Sequence, residues 1–306
     1  MNHQQLLQNL NTPTGVVDVV LDTDAYNEID DQFAISYAMR SPERIRVVAI
    51  CAAPFHNRRS NGPEEGMEKS YGEILKLLRL MDQDDFAERV YRGSRTYLPD
   101  ESTPVCSPAA EKLVALAKEY SPEKPLYIVA LGAITNVASA ILMDRETMVN
   151  NTVVVWLGGH ALHWKDNAEF NLRQDVAGAR VLFGCGVPLV ILPCQGVVSE
   201  LRTTKGELTE WLEGSNPLGE YLMNNTIEAA ESYARGTAWS RCIWDVSAVA
   251  WLLNDGDRLM TSYLTPSPIP QYDHHYSQDP TRHPIRYVYG VKRDAIFTDL
   301  FRKLRG

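Results

Sequence analysis

Short apolar runs rich in β-branched residues alternate with helix-like segments along the first part of the chain. The runs Val16–Thr23, Arg46–Ala53, Leu126–Leu131, Thr152–Gly158 and Val187–Pro193 are close to continuously hydrophobic. A strand with one wetted face alternates polar and apolar positions. These runs do not, so they read as parallel strands covered on both faces. Helical periodicity falls between them, at about Ile29–Met39, Met67–Met81, Ala109–Glu119, Ala133–Met143 and Val176–Phe183. Strand, helix and strand in succession predict an α/β fold: a mostly parallel central sheet, open and Rossmann-like, flanked by helices.

The later part changes character. Leu201–Trp211, Leu218–Ala234 and Val246–Leu253 have helical patterns, Arg286–Val291 reads as a late strand, and a final helix is expected from about Arg293 to Leu304. Thr261–His283 is rich in Pro, Asp, Ser, Tyr and His and has no clear period, so it is expected to be a long loop. No repeat, low-complexity tract or linker divides the chain. One domain over residues 1–306 is expected, with helical insertions near the site.

A hydrophobic fraction of 44% is enough for a real core. The formal net charge of −9 disfavours a nucleic-acid partner. The five cysteines are scattered, and none has CxxC spacing, so neither a zinc site nor a disulfide framework is expected. Free thiols suit a reducing compartment. The first fifteen residues lack the basic and apolar regions of a signal peptide. No stretch approaches the roughly 18 apolar residues of a membrane span. The expectation is a soluble cytoplasmic protein with no membrane partner.

The densest chemistry lies at VVLDTDAYNEIDD, residues 19–31. An apolar strand runs into Asp22, Asp24, Glu28, Asp30 and Asp31. Carboxylates this close disfavour one another's ionisation. One of them could simply cap the following helix, but a single helix start cannot use them all. The set suits a hard divalent cation, which takes oxygen ligands, with one carboxylate acting as a general base. The end of a strand in an open α/β sheet is where ligands bind.

DTDAYNEIDDQFAI resembles the N-terminal signature of the inosine–uridine-preferring nucleoside hydrolases, usually DxDxGxDDxxAI. That resemblance implies calcium-dependent hydrolysis of the N-glycosidic bond of ribonucleosides. It implies that Asp24 and Asp31 are calcium ligands, that Asp24 is also the base for the attacking water, that Asp30 binds ribose hydroxyls, and that Asp22 supports the site. The loop between Asp24 and Asp30 is about two residues longer than the signature allows, around Tyr26 and Asn27.

Further segments are similar to the same family. IVALGAITNVASA (Ile128–Ala140) looks like its TGxLTNxA segment, which implies a backbone-carbonyl ligand at Leu131. AEFN (Ala168–Asn171) implies ribose contacts from Glu169 and Asn171, chiefly around the 5′-hydroxyl. His163 stands where the family usually has a sugar-contacting Asn. Asn57 in AAPFHNRRSNG aligns with another ribose-contacting Asn. IWDVSAVAWLL (Ile243–Leu253) resembles HDPxAVA, which implies that Asp245 is the distal calcium ligand. Trp244 replaces the His that protonates the leaving base in non-specific members, and indole cannot do that. A purine-preferring branch also has Trp there, so Trp244 points to a stacked purine, with Trp164, Tyr26 or Trp239 as a second ring. His160, His274, His275 and His283 remain as candidate acids. The family implies a homodimer or homotetramer. Two other readings stand beside this one: a catalytically silent nucleoside-binding protein that keeps the metal pocket, and a haloacid-dehalogenase-type phosphatase, which also begins with strand–DxD.

Overall fold

A computed structural model describes residues Met1–Gly306. The helix α1 (His3–Asn9) precedes β1 (Val17–Thr23), α2 (Asp31–Met39), β2 (Ile45–Ala52), α3 (Pro63–Leu80) and β3 (Val90–Arg92). Then come α4 (Pro108–Ala117), β4 (Leu126–Ala130), α5 (Thr135–Met143), α6 (Arg145–Asn151), β5 (Thr152–Leu157), α7 (Phe170–Gln174), α8 (Val176–Cys185) and β6 (Leu189–Leu192). The remainder holds α9 (Lys205–Leu212), α10 (Pro217–Ala234), α11 (Val246–Leu252), β7 (Met260–Pro266), β8 (Pro284–Val291) and α12 (Arg293–Arg305). No helix is long and apolar enough to cross a membrane.

One eight-stranded sheet runs β3-β2-β1-β4-β5-β6-β8-β7. Every neighbouring pair is parallel except the edge pair β8 and β7. The mostly parallel sheet therefore has the expected form. Its central strands are apolar because both faces are covered: all of Thr152–Leu157 is buried. Successive side chains of β1 divide between two cores. Val19 and Leu21 join the cluster that holds α2, α11 and α12 residues, while Val20 joins the one on the α4, α5 and α8 side.

The strand order reverses between β1 and β4. The chain first winds outward through β2 and β3, then returns to place β4 on the other side of β1. The two neighbouring crossovers leave in opposite directions and open a crevice beyond the carboxyl ends of those strands. Asp22 lies on β1, with Asp24 just past its end, and Leu131 directly follows β4. The topology thus delivers the acidic motif to the place where this architecture binds ligands.

Two expectations change. Thr261–His283 is not a loop throughout. Most of its start forms β7, antiparallel to β8, and Ile269–Pro270 pairs with Tyr276–Ser277. As an edge strand β7 is largely wetted, with Tyr263 and Leu264 exposed, so its polar residues mask the pattern. Leu201–Trp211 is not one helix. Arg202–Thr203 pairs with Arg241–Cys242, and α9 begins only after Thr204, whose side chain caps it.

Buried Asp175 ties the second layer to the sheet end. It caps α8 through the Gly178 N–H at 2.7 Å, and accepts from the Thr135 hydroxyl of α5 at 2.6 Å and the Leu98 N–H at 3.2 Å. Replacing it removes a helix cap and strands two buried donors. Asp175→Ala is expected to cost roughly 2–4 kcal/mol of stability, seen as a lower urea midpoint with an unchanged slope.

Candidate active site

At the crevice the β1–α2 connection brings the carboxylates inward. Asp22, Asp24, Asp30 and Asp31 are all at most 3% exposed, and so is Asp245 at the start of α11. Asp22 accepts from the Asn136 amide of α5 at 2.8 Å, and Asp31 accepts from the Thr23 hydroxyl. Asp30 accepts from the Trp244 backbone N–H at 3.1 Å, which links the first strand's loop to a segment more than two hundred residues away. Asp30, Asp31 and Asp245 each offer an oxygen, and these lie within 4.8 Å of one another. Asp24 stands beside this triad. Gly132 comes so close that a Cβ there would sit 3.0 Å from the Asp24 carboxyl carbon.

These groups are electrostatically unhappy as they stand. Burial, then repulsion from Asp31, Asp30 and Glu169, pushes the Asp24 pKa well above the ordinary carboxylate range. Burial raises Asp30 and Asp245 in the same way, with neighbouring carboxylates adding to it. Asp31 is pushed up to about 6 and Asp22 to about 7, in both cases mainly by burial. Both carboxylate oxygens of Asp24 and one each of Asp22 and Asp31 are buried without any hydrogen bond. Unpaired buried carboxylate oxygens are costly, and an all-oxygen donor set of this charge fits a hard divalent cation.

The cavity over the cluster has a volume of about 240 Å³. Asp24, Asp30, Asp31, Asp245, Leu131, Glu169, Asn171 and Trp244 all line it. The sequence-derived residues from β1, β4, the AEFN segment and α11 therefore converge. The geometry adds detail to the expected roles. The closest carboxylate triad contains Asp30 rather than Asp24. The Asn171 amide donates to the Leu131 and Leu157 carbonyls, at 2.8 and 3.1 Å. Glu169 caps α7, accepting from the Asn171 and Leu172 N–H groups, and also from that of Gly159. Gly159 has φ +73°, and a Cβ there would meet the Tyr276 hydroxyl at 2.3 Å, so this turn requires glycine.

Asn57 and His163 fall outside the lining. Asn57 donates to the Asn27 side chain at 2.6 Å and accepts from the Arg59 N–H. Arg59 also clasps the carbonyls of Tyr26, Asn27 and Glu28. The longer loop is thus folded onto Arg59, and Asn27 rather than Asn57 reaches the cavity. His163 is exposed, with its ring edge-on to Trp164 at 6.5 Å. Trp164, Tyr26 and Trp239 do not line the cavity, nor do His274, His275 and His283. Phe170, His160, Gln195 and Arg173 do. Phe170 lies inside AEFN but carries no chemical signal in the sequence, where only the polar members of that segment stand out.

A family model described as inosine-uridine preferring nucleoside hydrolase matches residues 19–276. The chain belongs to this family. Its members are ribonucleoside hydrolases, enzymes that break N-glycosidic bonds, and the phosphatase reading falls away. Among its relatives is the pyrimidine-specific ribonucleoside hydrolase RihA of Klebsiella pneumoniae (strain 342), 23% identical over 249 residues, covering 73% of this chain and 76% of the relative. RihA of Salmonella arizonae is 25% identical over 77% of this chain and 79% of its own length. A solved plant nucleoside hydrolase, PpNRh1, superposes with a TM-score of 0.75 at 21% identity, covering 95% of this chain and 99% of that one. The purine-preferring ribonucleoside hydrolase from Gardnerella vaginalis gives 0.72 at 20% identity, covering 94% and 98%. These superpositions establish the shared fold.

The nucleoside hydrolase cluster makes a linked prediction. Burial pushes Asp31 up to about 6 and Asp22 up to about 7, against 3.8 for an ordinary aspartate. The folded state then holds more protons than the unfolded chain between about pH 4 and 7, so stability falls as pH rises through that window. A divalent cation held at Asp31 competes with the proton on that carboxylate. Calcium is therefore expected to raise the melting temperature more at pH 8 than at pH 5, with chelator reversing the gain. An equal shift at both values, read by differential scanning fluorimetry, counts against cation binding at these carboxylates.

Proposed function

We propose that this enzyme hydrolyses the N-glycosidic bond of a ribonucleoside, with calcium as its cation and purine nucleosides as preferred substrates. The observation that carries the reading is the set of unpartnered buried oxygens on Asp24 and Asp31, beside Asp30 and Asp245, at the floor of a cavity with Trp244 in its wall. Asp24, Asp31, Asp245 and the Leu131 carbonyl would hold the ion, with Asp30 close enough to share in it. A bound calcium would neutralise the crowded carboxylates and polarise a water or sugar hydroxyl.

The chain's own groups supply the rest. Asp24 has both oxygens free, so it can orient a water at the sugar's anomeric carbon and accept the proton that water loses. Asp30, fixed by the Trp244 N–H, would accept from ribose hydroxyls. Glu169 is held rigidly by three backbone donors and presents its remaining acceptor capacity to the sugar. The anionic floor favours the oxocarbenium-like sugar formed as the bond breaks. Asp22, tied to Asn136, supports the β1 end without lining the cavity.

The base is expected to lie against Trp244 and Phe170, the large aromatic side chains of the lining. A purine offers the larger stacking face. The relatives named as pyrimidine-specific motivate the competing substrate class, and direct comparison separates the two. Free ribose should be released from inosine, guanosine or adenosine faster than from uridine or cytidine, and chelation should abolish release until calcium is restored. Binding of nucleosides without ribose release would favour a silent sensor.

Two variants probe the roles. Asp24→Ala should lower kcat by at least about 10²-fold, the ordinary worth of a positioned general base, while the protein still folds. Near-normal turnover would refute the assignment. Trp244→Ala should reduce kcat/KM for purine nucleosides by about tenfold, in line with a lost stacking contact. Equal losses on purines and pyrimidines would remove the stacking role.

A further inference from the structure

Hydrolysis needs the leaving base to carry away an electron pair, and carboxylates ionised around a cation have no proton to donate to it. Trp244 has no proton to transfer near neutral pH. Arg173 also lines the cavity, but its side chain is exposed and its guanidinium packs over the Phe170 ring at 5.4 Å. His160 is different. It is half-buried in the wall, just beyond the end of β5, and its ring is held on two sides. The Gln195 backbone N–H donates to His160 Nδ1 at 3.3 Å, and the Trp164 ring stands edge-on at 6.3 Å. The His160 backbone is fixed as well, its N–H donating to the Asn167 side chain at 2.8 Å.

A backbone N–H can only donate, so Nδ1 must accept. The neutral ring then carries its hydrogen on Nε2. That Nε2–H makes no hydrogen bond within the protein, and His160 is one of the residues that line the cavity. The charged groups facing the ring are Asp166 and Lys165, and burial lowers the His160 pKa, which keeps the imidazole neutral.

We propose that the His160 Nε2–H is the hydrogen-bond donor to the departing base. The inference rests on the nucleoside hydrolase reading above and deepens it. As the C1′–N bond breaks, its electron pair moves onto the base. The water oxygen bonds to C1′ and gives a proton to Asp24. His160 stabilises the negative charge on a base nitrogen or carbonyl oxygen by donating without losing its own proton, and solvent then protonates the free base. A neutral imidazole acting as an electrophile in this way is established chemistry in other enzymes.

Leaving-group dependence tests the assignment. The holoenzyme is assayed on inosine and on p-nitrophenyl β-D-ribofuranoside, whose nitrophenolate needs little assistance. His160→Phe should lower kcat on inosine by about 100-fold, the scale of one lost charge-stabilising donor, and leave nitrophenyl riboside turnover nearly intact. His160→Gln, which can place an amide N–H near the lost Nε2–H, should recover part of the inosine activity. Equal loss on both substrates would mean that His160 serves the sugar or the fold, and would overturn the inference while leaving nucleoside hydrolysis standing. No turnover of either substrate by the parent enzyme would overturn both.

Discussion

Everything at this site depends on the mutual repulsion of buried carboxylates. Asp24, Asp30, Asp31 and Asp245 are withdrawn from water and crowded together; burial raises the pKa of each, and neighbouring carboxylates add to the rise at Asp24, Asp30 and Asp245. The protein sets few internal cations against them. Arg241 reaches Glu28 and moderates Asp30, but the Asp24 oxygens are left unpaired. A fold rarely retains such an arrangement for stability alone, since removing charge would relieve it. The same strain becomes useful once a divalent cation and a positively charged sugar occupy the cavity. Both are then stabilised by groups already in place, with little reorganisation.

The sheet makes that crowding achievable. Asp30 accepts from the Trp244 N–H, and Asp31 lies within reach of Asp245, so the two ends of the binding site close on each other across most of the chain. The reversal of strand order between β1 and β4 opens the space beneath them. Backbone geometry, rather than side-chain flexibility, therefore sets the spacing of the carboxylates. Gly132 and Gly159 permit the close approaches at Asp24 and Tyr276 that larger residues would block.

Much of this could be read from the sequence, for identifiable reasons. Buried parallel strands write themselves as unbroken apolar runs, and a run such as Thr152–Leu157 has little else to be. The acidic motif announces itself because carboxylates seldom follow a strand in such number. What escaped reading was decided by contacts that have no local pattern. Edge strand β7 is half-wetted and lost its periodicity. Asn57 was displaced because the longer loop folds onto Arg59, an interaction between segments some thirty residues apart. His160 and His163 both pack edge-on to Trp164, and only the folded turn shows which of them lines the cavity.

A crystal grown with calcium and ribose offers the most direct measurement, with anomalous scattering used to locate the ion. The account requires one calcium at about 2.3–2.6 Å from oxygens of Asp31, Asp245 and Asp24 or Asp30, seated between those groups and the sugar. Well-ordered ribose in the cavity with no ion among the aspartates, or calcium bound only at the protein surface, would contradict it.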